Sequence, residues 1–465
     1  MRTPPAAVVD GILSTPLSMQ ERVELFRVAY FTPGVPNRPG VVRMGLPLYL
    51  VGGVGVAKTS TTRAFAQSLG IPVEVFSPSE RGDAEIGSVP VPVEDGRYLA
   101  TPAPMWARPF LPAGEDADAP STGPDAPVTG CGLILADELT TAAPHVQDAL
   151  AGLILDQRIA GRQLAHGVRV WAAGNPPGAS GSGRPLRKML ANRLIHVPIA
   201  APSPAEVLAY LTGTSTADTA SSTPGGTEDG ADATTRERTE ALVLAAWSAG
   251  WARTTALWGQ FMAGGGMEHL CVEPDDDTPE ASGPFPTPRS WETCLRALTG
   301  AVILRAPVAV QRALVFGSVG HAAGMAFLDY ADDLGLPDVR DVLDGVEPVP
   351  VSRADRALAT LSACVQYLAS EHGALSRLPP KARAERAAIL APRMVRLWRL
   401  VTALLDTAPD LAGITAAKAQ SAGLQSCPGL AGADASALLG AYAEAVGACQ
   451  RHGIAGVAGA AARTL

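Results

Sequence analysis

Four stretches of the chain are apolar almost throughout: Leu46–Val51, Cys131–Ala136, Val168–Ala173 and Leu194–Ile199. Short apolar runs without polar alternation read as strands buried on both faces, the habit of parallel sheets. Val73–Phe76 adds a shorter strand. The intervals between them carry helical spacing. Val23, Leu25, Phe26 and Ala29 share one face of a helix over Ser18–Ala29, equally at home near a ligand or on the surface. Thr61–Leu69 is amphipathic and closed by Gly70 and Pro72, and Val146, Ala149, Leu150 and Leu153 line one side of Ala142–Ile154. Ser203, Pro204 and Glu206 form a helix start with cap, first-turn proline and acid three residues on. Beyond it the chain changes character. Helical stretches follow at Thr239–Met262, with Trp247, Trp251 and Trp258, at Thr287–Ile303, and from Ala306 to the end. The pattern predicts an α/β fold, a parallel sheet wrapped by helices, then a smaller helical region and a helical tail.

The polar intervals are less regular. Val89–Leu99 alternates about Asp95-Gly96, which fits a hairpin or an exposed loop. Ala113–Gly130 is rich in Pro, Asp, Ala and Gly and reads as a loop, as does Gly264–Pro286. Gly178–Gly183 reads as a linker and Thr212–Thr235, rich in Thr, Ser, Gly and Asp, as disordered.

Chemistry concentrates at the ends of the apolar runs. Leu46–Val51 breaks into Gly52-Gly53-Val54-Gly55-Val56-Ala57 and resumes at Lys58-Thr59-Ser60 as a helix start. This follows the phosphate-binding template G-x-x-x-x-G-K-[ST] with Ala57 in place of the second glycine. Glycines let consecutive backbone N–H groups turn towards phosphate oxygens, and the helix dipole favours the same charge. Lys58 is then expected to reach the β- and γ-phosphates and Thr59 to give an oxygen to Mg²⁺. Ala57 is compatible with such a loop if its φ is negative, because Cβ penalises the left-handed region. The run Cys131–Ala136 ends in Asp137-Glu138, expected to hold Mg²⁺ through its water shell and to polarise the water attacking the γ-phosphate, respectively. Val168–Gly174 ends in Asn175 before two prolines, a residue fit either to orient that water or to cap the turn. Arg193 stands immediately before Leu194–Ile199.

Composition narrows the classes. The 465 residues exceed a single core and predict two or three domains. At 47 % hydrophobic and 18 % charged, with net charge −8 and no long run of Lys or Arg, the chain is globular and poorly suited to nucleic acid as its main partner. Its 6 cysteines are scattered without a C-x-x-C pair, which fits small buried residues in a reducing compartment. No secretory signal is expected in Met1–Leu13, and Arg253, Arg305 and Arg312 interrupt the apolar stretches, so no membrane partner and a cytoplasmic location are expected.

Taken in order, Gly52–Thr59, Leu133–Glu138, Ala172–Pro176, Ala191–Arg193 and Thr287–Ser290 resemble the AAA+ ATPases, in particular the MoxR branch. Gly317–Gly324 with Leu334–Asp338 is similar to the end of that family's lid. The resemblance covers roughly residues 18–346, and alanine at the Ala57 position is known in this branch. It implies a nucleotide-binding domain over 1–206, a helical lid with insertions over 207–346 and a C-terminal helical region over 347–465. It implies Walker roles for Lys58, Thr59, Asp137 and Glu138, sensor 1 for Asn175, and an arginine finger acting on a neighbour's ATP for Arg193, although Asn192 stands where an acid often precedes it. Arg289 corresponds to the sensor 2 arginine, with a role towards the same protomer's phosphates. The implied function is Mg²⁺-dependent ATP hydrolysis by a homo-oligomeric, hexameric ring with a chaperone-like action on a protein client, such as a von Willebrand factor A domain protein or a metal centre being matured. A nucleotide-dependent binding switch with little turnover and a nucleic-acid motor are the rival readings. Net charge disfavours the motor, and steady-state turnover separates the switch.

Overall fold

The computed structural model describes residues 17–34, 44–80, 91–93, 98–100, 103–112, 130–176, 184–212, 228–276 and 278–454. The expected loop centre at 94–97, the loop at 113–129, the linker at 177–183 and the stretch 213–227 lie outside them. The apolar runs form one parallel sheet in the order β2-β5-β8-β1-β9. Its strands are β1 (Leu48–Val51), β2 (Val73–Phe76), β5 (Cys131–Ala136), β8 (Gly167–Gly174) and β9 (Ile195–Pro198). Two small antiparallel pairs stand apart from it: β3 (Val91–Val93) with β4 (Tyr98–Ala100), and β6 (Arg158–Ile159) with β7 (Arg162–Gln163). The first pair realises the hairpin alternative.

β1 pairs with β8 on one side and β9 on the other, and Val51 lies level with Gly174 and Pro198. The chain leaves β1 towards one edge and returns on its other side, so a crevice opens beyond the carboxyl ends at β1. Helices α1 (Met19–Phe31) and α2 (Lys58–Ser68) close one face of the sheet. There Phe26, Phe65 and Trp171 interlock with ring centroids 4.9–5.8 Å apart. Each such buried aromatic stabilises the domain by about 1.5–3 kcal/mol. Helix α3 (Pro144–Asp156) covers the other face, where Val168, Val170 and Ala172 alternate with the outward Trp171 to meet Leu150 and Ile154. The period-two alternation on an all-apolar strand is what lets one sequence feed two cores.

Short helix α4 (Lys188–Ala191) precedes β9, and α5 (Pro204–Leu211) follows it, with Ser203 and Glu206 forming the expected reciprocal cap. Helix α6 (Glu228–Ala263) begins well inside the stretch expected to be disordered. Glu228, Ala231 and Ala233 favour helix and Asp229, Gly230, Asp232, Thr234 and Thr235 do not, so the first turns join a helix whose propensity lies further on, in residues 236–246. Helices α7 (Pro288–Ile303) and α8 (Val308–Val319) then pack on α1 and β9. A Cβ at Gly317 would lie 2.2 Å from the His196 carbonyl oxygen, so α8 can approach β9 this closely only at glycine.

The chain groups into two units, 1–244 with 268–326, and 245–267 with 327–465. These do not coincide with the stretches 1–206, 207–346 and 347–465, because α7 and α8 belong with the sheet. The second unit is helical. Along α9 (His321–Leu334), α10 (Val339–Asp344), α11 (Ala354–Leu375), α12 (Pro380–Leu404), α13 (Pro409–Ser421) and α14 (Gly432–Arg451), its core gathers Leu361, Cys364, Met394, Trp398 and Tyr442. Trp398 packs edge-on to Tyr442 at 5.0 Å and donates its Nε1–H to the Leu424 carbonyl. Five cysteines are buried, whereas Cys271 is exposed, contrary to the expectation for all six. No helix among the described residues is long and apolar enough to cross a membrane.

Candidate functional site

At the carboxyl end of β1 the chain turns under the end of β9. A Cβ at Gly52 would come within 2.5 Å of the Ile199 carbonyl oxygen, which explains glycine there. Gly53, Val54, Gly55 and Val56 carry the loop outward, with Val54 78 % exposed, and Ser60 ties back to the Ala57 carbonyl at 3.2 Å. Ala57 has φ 67° and ψ 26°. The condition set from sequence, a negative φ, is therefore not met. The loop demands a left-handed residue immediately before Lys58, and alanine adopts that conformation at a cost of about 1–2 kcal/mol. Lys58, the first residue of α2, is 9 % exposed and donates to the Gly52 and Gly53 carbonyls, both at 2.8 Å, and to Asn175 Oδ1 at 3.1 Å. Burial lowers its pKa, and the carboxylates of Asp137 and Glu138 oppose that shift.

Asp137 accepts a short hydrogen bond from the Thr59 hydroxyl through one carboxylate oxygen and the Glu138 N–H, at 2.9 Å, through the other. Thr59 and Asp137 are thus hard oxygen donors held together at the crevice. Such a pair suits a Mg²⁺ ion that keeps water and phosphate ligands for its remaining positions. Glu138 lies at φ 56°, a left-handed outlier that leaves its carboxylate exposed at the strand end. The Thr141 N–H and hydroxyl both bind its carbonyl and hold that turn. Asn175 is 7 % exposed, and its N–H donates to Thr140 Oγ1 at 3.3 Å. Thr140 in turn hydrogen-bonds Tyr49, whose phenol pKa burial raises and this bond opposes. The strand β8 between β1 and β5 is what puts Asn175 between the lysine and the acids. Thr140 and Tyr49 were not candidates from sequence. The signal available was a polar pair, Thr140-Thr141, interrupting an apolar stretch directly after the acids.

Arg193 and Arg289 lie at the opposite end of the sheet. They line one cavity of about 310 Å³ together with Pro47, Asp156, Gln157 and Arg296. Pro47 precedes β1, and Gly52 follows it by roughly 17 Å of strand at ~3.3 Å per residue. Arg289, expected to address its own protomer's phosphates, stands with Pro47 and Arg193, apart from the phosphate loop. Its helix α7 packs at the amino ends of the strands, and the Thr287 cap is bonded to Asn192, beside Arg193. Arg193 Nε is buried with no hydrogen-bond partner among the described residues. Burial lowers the Arg193 pKa first and repulsion from Arg289 second, with Asp156 opposing. Arg296, in contrast, is satisfied by the Pro33 carbonyl at 3.0 Å, and burial takes its pKa down to about 10 against the opposing charge of Glu292.

No family model matches the chain, and no curated protein matches it. Among solved structures it is similar to a candidate ATPase from Cytophaga hutchinsonii, at 12 % identity and a TM-score of 0.36, over 73 % of this chain and 92 % of that one.

Proposed function

We propose that the chain is a Mg²⁺-dependent ATPase of the AAA+ type, similar to the MoxR branch, that works as a homo-oligomeric ring and remodels a protein client. The observation that carries this reading is the convergence of Lys58, Thr59, Asp137 and Asn175, drawn from three adjacent strand ends and joined by direct hydrogen bonds. Loop N–H groups and Lys58 bind phosphate charge, Glu138 polarises the attacking water and Asn175 orients it. Thr59 and Asp137 would hold Mg²⁺, which would supply neutralisation of phosphate charge when bound. Arg193 and Arg289 act together on a neighbouring protomer's γ-phosphate. In support, both stand far from Lys58 of their own chain, in a cavity where Asp156 is the one carboxylate that opposes the Arg193 shift. A hexameric ring and a von Willebrand factor A domain client follow from the family resemblance.

Separable roles give the test. Lys58→Ala is expected to lose binding of a fluorescent ATP analogue, whereas Glu138→Gln keeps binding and stops steady-state hydrolysis. Proteins captured on the ATP-bound Glu138→Gln chain then identify the client. Equal loss of affinity in the two variants contradicts the assignment, and binding without turnover in the unaltered chain leaves a nucleotide switch in its place.

A further inference from the structure

Two like-charged guanidinium groups, Arg193 and Arg289, line one cavity, and the segments that carry them are tied to each other. The fixing lies directly behind them. Asn192, one residue before Arg193, donates from Nδ2 to the Phe285 carbonyl at 2.9 Å and accepts at Oδ1 from the Thr287 hydroxyl at 2.8 Å. Thr287 caps α7 two residues before Arg289, in a reciprocal box with Ser290. The same two segments are joined further back. Ser282 donates to the Leu186 carbonyl at 3.0 Å, and Lys188 reaches the Pro274 carbonyl at 2.7 Å and the carboxylates of Glu273 and Asp276, both at 2.8 Å. Those ion pairs are exposed on the acidic side and contribute little. The amide of Asn192 is the contact closest to both arginines, and it uses a donor and an acceptor at once, which neither Asp nor Leu can do.

We infer that Asn192 is a positioning residue that sets the spacing of Arg193 and Arg289, so that both reach one bound triphosphate on a neighbouring protomer. The inference rests on the arginine pair acting in trans. Asp at this position loses the donor to Phe285 and places a carboxylate beside Arg193, drawing the guanidinium away from its target. Leu keeps the volume and loses both bonds. Displacement of a charged group by about 1 Å costs on the order of 100-fold in rate.

The test measures steady-state ATPase of the full chain at saturating protein concentration for Asn192→Leu, Asn192→Asp, Thr287→Val and Thr287→Ser, beside Arg193→Ala. Asn192→Leu and Thr287→Val should each lower kcat by about 10–100-fold with KM little changed. The double variant should be no worse than either single one, and Thr287→Ser, which keeps the hydroxyl, should approach the unaltered rate. Asn192→Leu protomers should regain turnover when mixed with Lys58→Ala protomers, which bring an intact arginine pair, and gain none when mixed with Arg193→Ala protomers. A general loss of folding does not produce that asymmetry. If Asn192→Leu does not fold, Thr287→Val carries the same test. Full activity in Asn192→Leu and Thr287→Val beside an inactive Arg193→Ala overturns this inference alone. Full activity in Arg193→Ala overturns the trans reading beneath it.

Discussion

The two ends of the sheet handle charge in opposite ways. At the carboxyl end Lys58 faces Asp137 and Glu138, and its ammonium is fully bonded to Gly52, Gly53 and Asn175. At the amino end Arg193 and Arg289 face one another, and only Asp156 opposes their charge at Arg193. One end therefore assembles a balanced site within the chain. The other presents two guanidinium groups beside a single carboxylate, Asp156. Arg193 is half-buried and Arg289 exposed, so the pair stands open to an incoming anion. The two clusters lie about a strand's length apart, and the proposed trans arrangement is what would bring them to one nucleotide.

The largest expected effects would break the amino-terminal half. Arg193→Ala and Arg289→Ala should each retain nucleotide binding and lose kcat by about 10³-fold or more, in line with arginine fingers generally. Measuring kcat and KM for both sharpens the comparison. If Arg289→Ala instead raises KM with kcat intact, its guanidinium serves ground-state binding and the pair is not a unit.

A smaller effect concerns the wall behind that half. His196 on β9 is fully enclosed, meets the Tyr49 ring edge-on at 5.3 Å and donates from Nε2 to the Ala191 carbonyl at 2.9 Å. Burial takes its pKa down to about 4, against the opposing bond to Ala191. The unfolded chain binds the proton more readily, so this contribution is whole above the ordinary histidine pKa and is lost as pH falls from about 6.5 towards 4. The loss amounts to about 3 kcal/mol. Denaturant unfolding at pH 7 and pH 4.5 should show a steeper fall for the unaltered chain than for His196→Gln. Parallel falls in the two proteins contradict a neutral buried imidazole.

The smallest effect lies in the phosphate loop. Ala57→Gly removes a left-handed alanine worth about 1–2 kcal/mol of strain and returns roughly 0.5–1 kcal/mol through glycine's greater freedom in the unfolded chain. A net gain of up to about 1.5 kcal/mol is expected in denaturant unfolding. A loss of stability would mean that Ala57 is not strained.

Much of the carboxyl end was legible in the sequence because its signals are local. Gly52 to Ser60, Asp137-Glu138 and Asn175 each sit where an apolar run stops, and a parallel sheet brings such ends to one edge. The position of Arg289 was not legible. It depends on α7 docking beside β9 through Thr287 and Asn192, a contact between residues 95 apart in sequence that no periodicity announces. The Thr140–Tyr49 support for Asn175 was hidden for the same reason. The start of α6 at Glu228 was missed because its first turns, with Asp229, Gly230, Asp232, Thr234 and Thr235, carry little helix propensity of their own.

The central claim is that the two halves meet only between protomers, and mixing tests it most directly. Arg193→Ala has the phosphate loop without its finger, and Lys58→Ala has the finger without its phosphate loop. Each alone should be inactive. Mixed and shown to co-assemble, they should recover part of the unaltered ATPase rate, because some interfaces then pair an intact loop with an intact finger. No recovery at any mixing ratio in co-assembled protein would contradict the account and return Arg193 to an ordinary half-buried charge.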